Sequence, residues 1–318
     1  MPSPALETRE DERGRRPLAL LASLLRQGEF VLTAELNPPK SASASVVRRR
    51  AEVLKGYVDA VNVTDSPRAV VAMSALPAAI IVRGAGVEPI VQVTGRDRNR
   101  IALQGDLLGA AALDLPNFLF MSGDDPKHGN HPDAVNVQDL SGIELVRAAA
   151  GMRDGHFLNG DEIKQPPRYF IGATASPFTP GDIEKTLEKV AAGAEFLQTQ
   201  PVFDLARFSD WLVAIRRQSK QVAILAGVLV LRSAEQAERM LKIPGFVLPE
   251  QVRERMRDAS DGAAEGVVIA AETIAALRAL PQVNGAHLYA IEWPEAIPLV
   301  VERAGLHPRP KVKEVVTA

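Results

Sequence analysis

Apolar, β-branched segments recur along the chain and alternate with amphipathic segments of helical period. Continuous apolar strands that alternate with helices are typical of a parallel sheet covered by helices. The strand candidates are Phe30–Leu36, Ala60–Thr64, Pro89–Thr94, Asn117–Ser122, Tyr169–Ala175, Phe196–Val202, Val222–Val230 and Ala286–Ile291. The helix candidates include Ser43–Leu54, Ile143–Met152, Pro180–Ala192, Leu205–Arg217, Ala234–Leu241 and Gly262–Leu280.

The repeated strand–helix units run through the chain without a strong break. They predict a closed (β/α)8 TIM barrel, a fold that needs roughly 250 residues. An open, doubly wound sheet is the alternative, because a strand count from one sequence is often off by one. We expect a flexible N-terminal lead over 1–16, a single barrel domain over 17–310 that starts with a helix over 17–27, and a tail over 311–318.

Charge and composition exclude several classes of protein. The 318 residues carry 37 basic and 39 acidic side chains, so the formal net charge of −2 gives no basic field for sequence-independent nucleic-acid binding. The absence of cysteine excludes disulfides, thiolate metal sites and a cysteine nucleophile. The apolar run Leu18–Leu25 is too short for a membrane span, which needs about 20 residues, and a cytoplasmic protein is expected.

Two long polar segments, 125–137 and 154–168, flank the helix after strand 4. Loops of this length inside a domain are usually lids or insertions, and the first leaves the face of a barrel that carries active sites. His128 and His131 share that loop, but histidines in polar loops are usually solvated, so no metal site is predicted. Neither a GxGxxG nor a GxxxxGK[ST] phosphate loop is present.

Polar side chains follow six of the strand candidates, at the end where barrel enzymes carry their catalytic groups. Two are carboxylates, Glu35 on strand 1 and Asp124 after strand 4. A carboxylate on an apolar strand is neutralised, paired or exposed to a site, because burying it as an ion is costly. Glu35 could instead cap a turn or pair with an arginine, and Asp124 could start the turn before Asp125 and Pro126. Six polar ends on one face favour a shared site.

Four motifs carry a resemblance to a known family over roughly residues 27–306. In chain order they read TAELNPPK, NVTDSP, SGDDP and GAEFLQTQPVFD. Together they resemble the methylenetetrahydrofolate reductase family, and the wording of GATASP and AGVLVLRSA is closer to its acetogen and one-carbon-metaboliser branch than to the enteric enzyme. The resemblance implies a (β/α)8 barrel that binds FAD and reduces 5,10-methylenetetrahydrofolate to 5-methyltetrahydrofolate, or runs in reverse in one-carbon catabolism.

The resemblance also implies roles for individual residues. Glu35 matches the general acid, Asp124 matches the aspartate that supports the iminium and tunes the flavin, and Gln200 matches the glutamine that faces the folate and the nicotinamide in turn. These three form the implied substrate site. The implied cofactor contacts are Thr64, Gln92, Thr94, Ser122, Gly123, Asp124, Ala175, Ser176, Asp182 and Lys189.

Departures from the family pattern weaken two inferences: how tightly FAD is held, and that a nicotinamide is the direct electron donor. Ser122, Gln92 and Ser176 replace an arginine, a histidine and a tyrosine, and Ala234 replaces an aromatic residue that supports the pyridine nucleotide. The donor is expected to be NADH or NADPH, in a protein expected to form a homo-oligomer. Two alternatives stay open: a folate- and flavin-binding subunit that takes electrons from a partner subunit, and a non-redox folate barrel resembling a methyltransferase.

Overall fold

The computed structural model describes residues 19–243 and 245–312. The predicted lead over 1–16 and the tail beyond residue 312 lie outside the described residues. The strands are β1 (Val31–Leu36), β2 (Ala60–Val63), β3 (Pro89–Thr94), β4 (Asn117–Met121), β5 (Phe170–Ala175), β6 (Phe196–Pro201), β7 (Ala223–Leu229) and β8 (Gly285–Tyr289). They form a closed parallel barrel in chain order, in which β8 pairs with β1 from Val31↔Gly285 to Ala34↔Leu288. The barrel prediction is confirmed, and the open sheet is excluded.

Helices cover the outside of the barrel. They are α1 (Leu20–Arg26), α2 (Ala44–Leu54), α3 (Ala75–Gly84), α4 (Arg100–Ala112), α5 (Gly142–Arg153), α6 (Asp182–Ala191), α7 (Leu205–Gln218), α8 (Ala234–Met240), α9 (Glu250–Asp258), α10 (Gly262–Arg278) and α11 (Ala296–Arg303). The long connections on both sides of α5 are irregular apart from a 3-10 turn at Pro126–His128 and an isolated bridge between His156 and Glu162. They match the two polar segments expected from the sequence.

The N-terminal half of the barrel interior is apolar, and we call this cluster the apolar floor. It draws side chains from non-neighbouring strands, which only the interior can bring together. Its members are Val31, Ala60, Ile90, Leu119, Phe170, Phe196, Ala223 and Leu225. Gly172 leaves room for the ring of Phe196, because a Cβ there would lie 2.2 Å from its Cζ. The cluster is therefore packed without space for a ligand.

Helix α1 closes this end of the barrel. Leu21 and Leu24 are fully buried against the apolar floor. Glu88 caps the helix from outside its own sequence, since its carboxyl accepts the backbone N–H groups of Leu20 (2.7 Å) and Leu21 (2.9 Å). With this end sealed, the open end of the barrel is the one at the C-terminal ends of the strands.

Candidate active site

Glu35 lies near the end of β1 and points into the barrel. Alternate residues of a strand share a face, so Glu35 follows Val31 and Thr33 on the inner side. Burial of its carboxyl raises the pKa of Glu35 to about 7, and a hydrogen bond from the Gln92 side chain opposes that rise only in part. The group is therefore poised to hold and release a proton near neutral pH.

A buried polar layer lies directly beneath Glu35. Its members are Thr33, Asn62, Gln198 and His287, each two residues before a residue of the open end. Gln198 Nε2 donates to Asn62 Oδ1 (3.1 Å) and Thr33 Oγ1 (3.2 Å), and Asn62 Nδ2 donates back to Gln198 Oε1 (2.6 Å). The pair joins β2 to β6 across the barrel. Each amide group in the pair has a partner, as buried polar groups require.

The same network sets the state of His287. Thr33 Oγ1 lies 2.8 Å from His287 Nδ1. With the amide orientations that complete the network, Thr33 accepts from Gln198 and donates its own hydrogen to Nδ1, which leaves the ring proton on Nε2. Burial lowers the pKa of His287 to about 3. His287 is therefore a neutral imidazole and not a proton donor at neutral pH.

Tyr289 ends β8 close enough to Glu35 to feel its charge, and Gln200 lies near the end of β6, at the same open end of the barrel. The Tyr289 hydroxyl donates to the backbone carbonyl of Thr199 (3.0 Å), and burial together with the charge of Glu35 raises the pKa of Tyr289. The amide oxygen of Gln200 is buried without a hydrogen-bond partner in the described structure. A buried acceptor without a donor is costly, so Gln200 Oε1 marks a place for a ligand N–H or O–H group.

Asp124 lies on another part of the rim, above β2 and β4. Its Oδ2 accepts the backbone N–H of Arg68 (2.7 Å), in a connection where Ser66, Arg68 and Ala69 adopt positive φ angles. Asp125, and not Asp124, caps the following turn by accepting the N–H of Lys127 (2.9 Å). Asp124 is exposed, and its carboxylate holds two loops of the rim together.

Two further observations concern the described residues alone. None of their helices has both the length and the hydropathy needed to cross a membrane. Within the same part of the chain, no group of three or more His, Asp or Glu side chains is arranged to hold a metal ion.

The match to one family model shows which family this chain belongs to. The model of methylenetetrahydrofolate reductase matches residues 20–305. The chain belongs to the methylenetetrahydrofolate reductase family. Two fission-yeast (Schizosaccharomyces pombe) relatives are methylenetetrahydrofolate reductase 1, 26% identical over 149 residues, and methylenetetrahydrofolate reductase 2, 21% identical over 205 residues. The first alignment covers 43% of this chain and 24% of the relative, and the second covers 60% and 32%. The chain thus spans at most about a third of these relatives.

A solved structure resembles the fold of this family member. It is an uncharacterised protein from Clostridium thermocellum that binds two copies of 5-methyl-5,6,7,8-tetrahydrofolic acid. The TM-score is 0.64 at 14% identity, over 90% of this chain and 99% of the other.

The family resemblance implies an FAD site, and two of the polar residues expected there are the threonines at the ends of β2 and β3. Thr64 Oγ1 donates to Asn37 Oδ1 (2.9 Å). Thr94 donates its N–H and its hydroxyl to Asp65 Oδ2, each at 3.0 Å, and Asp65 also pairs with Arg98. Both threonines are 2% exposed. The hydrogen of each hydroxyl therefore already has a partner within the protein.

Asp182 and Lys189 on α6 are also occupied. The carboxylate of Asp182 is 6% exposed and accepts three hydrogen bonds, from Ser176 N (2.8 Å), Thr186 Oγ1 (3.0 Å) and Trp211 Nε1 (3.0 Å). Lys189 Nζ donates to the Thr174 carbonyl (2.6 Å), and burial lowers the pKa of Lys189. A flavin contact at Asp182 would compete with these three bonds, whereas the Lys189 ammonium has donors beyond its bond to Thr174. The FAD contacts that the resemblance implies stay a prediction.

The remaining cofactor candidates divide between rim and interior. Ser122 and Asp124 are exposed, and Gly123 and Ser176 are partly exposed. Ala175 is 1% exposed and Gln92 faces Glu35, so neither presents a free polar group to the rim. The strand-end pattern did not single out Thr33, His287 or Tyr289. The available signal was the polar residue at alternate positions inside β1, β2, β6 and β8.

Proposed function

We propose that the chain is a methylenetetrahydrofolate reductase in which Glu35 is the general acid. The observation that carries the proposal is a carboxyl group whose pKa, raised to about 7, leaves it about half protonated at neutral pH, at the same open end of the barrel as the unpaired amide oxygen of Gln200. Family membership supplies the reaction class, and the folate bound by the Clostridium thermocellum structure supports the choice of ligand.

The proposed reaction begins with ring opening. The Glu35 carboxyl donates its proton to N10 of 5,10-methylenetetrahydrofolate while the bond between N10 and the methylene carbon breaks and its electron pair stays on N10. The product is an N5 iminium. A hydride from NADH or NADPH then adds to the methylene carbon, so that the methylene group is reduced to the methyl of 5-methyltetrahydrofolate and the nicotinamide is oxidised. Water returns a proton to Glu35. The reverse direction uses the same steps.

The other site residues have binding and orienting roles in this proposal. Gln200 Oε1 accepts an N–H group of the pterin or of the nicotinamide carboxamide, while Gln92 and the polar layer hold the Glu35 carboxyl in place. Asp124 stabilises the cationic intermediate through the field of the rim. FAD stays a prediction of the family resemblance, and no step here depends on it.

The experiment is turnover of the purified protein with methylenetetrahydrofolate and NADH or NADPH, together with its visible spectrum. Replacing Glu35 by Gln should lower turnover about 10²- to 10⁴-fold, the range for loss of a general acid, while folate still binds. Glu52→Gln, an exposed change on α2, is the matched control and should leave turnover unchanged. Turnover by Glu35→Gln within a few-fold of the parent would overturn the assignment. A flavin spectrum would confirm the FAD prediction.

One observation favours a second candidate. The occupied groups at Thr64, Thr94, Asp182 and Lys189 suit a folate-binding barrel without a flavin of its own. Such a protein would bind 5-methyltetrahydrofolate and show no turnover with either nicotinamide. If turnover then appeared with an added electron carrier, the subunit that depends on a partner would be favoured. Sedimentation of the purified chain tests the expected homo-oligomer separately.

A further inference from the structure

Strand β6 is irregular where it reaches the open end of the barrel. Its register with β7 shifts between Gln198 and Pro201, so that two residues of β6, Thr199 and Gln200, lie opposite a single residue of β7, Ala226. This is a β-bulge. A bulge bends its strand and re-aims the side chains there, and bulges are over-represented next to active sites. The direction of the Gln200 side chain therefore depends on this bulge.

The side chain of Thr199 holds the bulge together. Thr199 is fully buried, and its hydroxyl accepts the N–H of Gly227 on β7 (2.9 Å) and donates to the backbone carbonyl of Gln200 (2.8 Å). The Thr199 carbonyl in turn accepts the Tyr289 hydroxyl from β8 (3.0 Å). A bulge disrupts the backbone ladder, and here two side-chain hydroxyls supply partners to its polar groups. The backbone that carries Gln200 is thereby tied to β7 and β8.

Gly227 allows the bulge to lie close against β7. A Cβ at this position would be 2.5 Å from the carbonyl oxygen of Thr199 and 2.6 Å from that of Gln200. Both are backbone atoms, which cannot rotate away as the end of a side chain can, so a larger residue would push this part of β6 outward. The N–H of Val202 donates to the Gly227 carbonyl (2.9 Å), and the regular pairing resumes there.

The amide of Gln200 is fixed at its base and lacks a partner at its end. Its Oε1 is buried and accepts no hydrogen bond from the described residues. Gly245, in the connection between α8 and α9, lies beside this oxygen, because a Cβ there would be 3.1 Å from Oε1. Glycine keeps that space free of a side chain. A buried acceptor that the surrounding backbone holds in this state is ready for the donor of a ligand.

We propose that Thr199 and Gly227 are positioning residues, which act through the bulge in β6 to hold the Gln200 amide for an N–H group of the folate. The inference rests on the proposed function, since Gln200 is the acceptor in the same site. Positioning of this kind raises affinity because the contact need not be ordered when the ligand binds. Without the Thr199 hydroxyl, the Gly227 N–H and the Gln200 carbonyl lose the group that joins them, and the bulge can relax.

The test is a double-variant cycle on the affinity for 5-methyltetrahydrofolate, measured by calorimetric titration. Gln200→Leu should weaken binding about 3- to 10-fold, the range for one hydrogen bond. Thr199→Val keeps the shape of the side chain without its hydroxyl, and should weaken binding by a similar factor in the parent but by less than about twofold in Gln200→Leu. Thr199→Ser keeps the hydroxyl and should bind like the parent. Thr273→Val on α10, whose hydroxyl donates to the Ile269 carbonyl (2.8 Å), is the matched control and should leave the affinity unchanged.

The outcomes separate this inference from the proposed function. If the parent binds the folate and Thr199→Val weakens binding equally with and without Gln200, or not at all, the positioning role is wrong and the proposed function stands. If the parent does not bind the folate, both proposals fail. Gly227→Ala, which displaces the bulge from the side of β7, enters the same cycle. It keeps the positioning role open to refutation if a thermal melt shows that Thr199→Val is unfolded at the temperature of the titration.

Discussion

The two halves of the barrel interior are built on opposite principles, although the same strands supply both. The apolar floor packs phenylalanine and aliphatic side chains under α1, and its Phe170 and Phe196 rings stack with centres 5.0 Å apart. Two residues further along the strands, the polar layer is equally buried but consists of amides, a hydroxyl and an imidazole. The floor therefore stabilises the barrel by burial, while the polar layer fixes side-chain positions by hydrogen bonds.

This difference determines which half of the barrel can carry a functional site. A well-packed apolar cluster cannot shift a pKa by specific contacts or offer a donor to a ligand. The polar layer can do both, because each of its groups has a defined partner and the layer fixes the positions of the residues next to it at the open end. Glu35, at the top of the same face of β1 as Val31 and Thr33, has its carboxyl desolvated by this packing yet reaches the open end. Substitutions can therefore disturb one half at a time.

The largest expected effect is on the floor. Phe196→Ala removes a fully buried ring from between Phe170 and Gly172 and should lower the free energy of unfolding by about 3–5 kcal/mol, measured by denaturant titration. Val213→Ala, at a 42% exposed position on α7, is the control and should be nearly neutral. Below its unfolding transition, Phe196→Ala should keep the pH profile of Glu35. A changed profile in a still folded protein would contradict the separation of the two halves.

The next effect is on the polar layer. Gln198→Leu leaves both polar groups of Asn62 without their partner and removes one of the two partners of the Thr33 hydroxyl, which keeps its bond to His287. It should cost about 2–3 kcal/mol in unfolding free energy. The double variant Asn62→Leu/Gln198→Leu replaces both amides and should recover part of that loss. If the double variant is less stable than the sum of the single changes predicts, the amide pair does not stabilise the barrel in the way inferred here.

How far the sequence predicts this molecule depends on the range of the interaction. The strand and helix periods predicted the barrel, and the bounds of β3 at Pro89–Thr94 agree fully, because alternation is local to each segment. The contact between Asn62 and Gln198 joins residues 136 positions apart, so no local pattern contains it. Only the closure of the barrel puts β2 opposite β6.

In the candidate site, too, the positions of residues were predictable from the sequence, but their contacts were not. The position of Glu35 at a strand end was predictable, but its raised pKa depends on packing from several strands. Asp182 and Lys189 lie at the spacing of the family pattern, yet their polar groups bond to Trp211 and to the Thr174 carbonyl, respectively. Spacing along α6 places a side chain on a helix face, and the tertiary neighbours decide what it binds.

The smallest expected effect is the pH dependence that Glu35 gives to turnover and to stability. Because the acid form of Glu35 is the proton donor, turnover in the reducing direction should fall as the pH rises through about 7. The free energy of unfolding should also fall as the pH rises from the ordinary pKa of 4.5 to about 7. In this window the unfolded chain has lost the proton, whereas the folded chain still holds it. Glu35→Gln should remove this dependence.

Gln92→Leu tests the contribution of the hydrogen bond between Gln92 and Glu35. That bond lowers the pKa of Glu35, so its loss should raise the pKa further and move the alkaline limb of turnover to higher pH. Below pH 6 the variant and the parent should then have similar rates, since both hold the proton. Gln104→Leu on α4, whose amide contacts Leu158 outside the barrel, is the matched control and should leave the limb in place. A limb that stays at the parent's pH in Gln92→Leu would show that the hydrogen bond from Gln92 does not lower the pKa of Glu35.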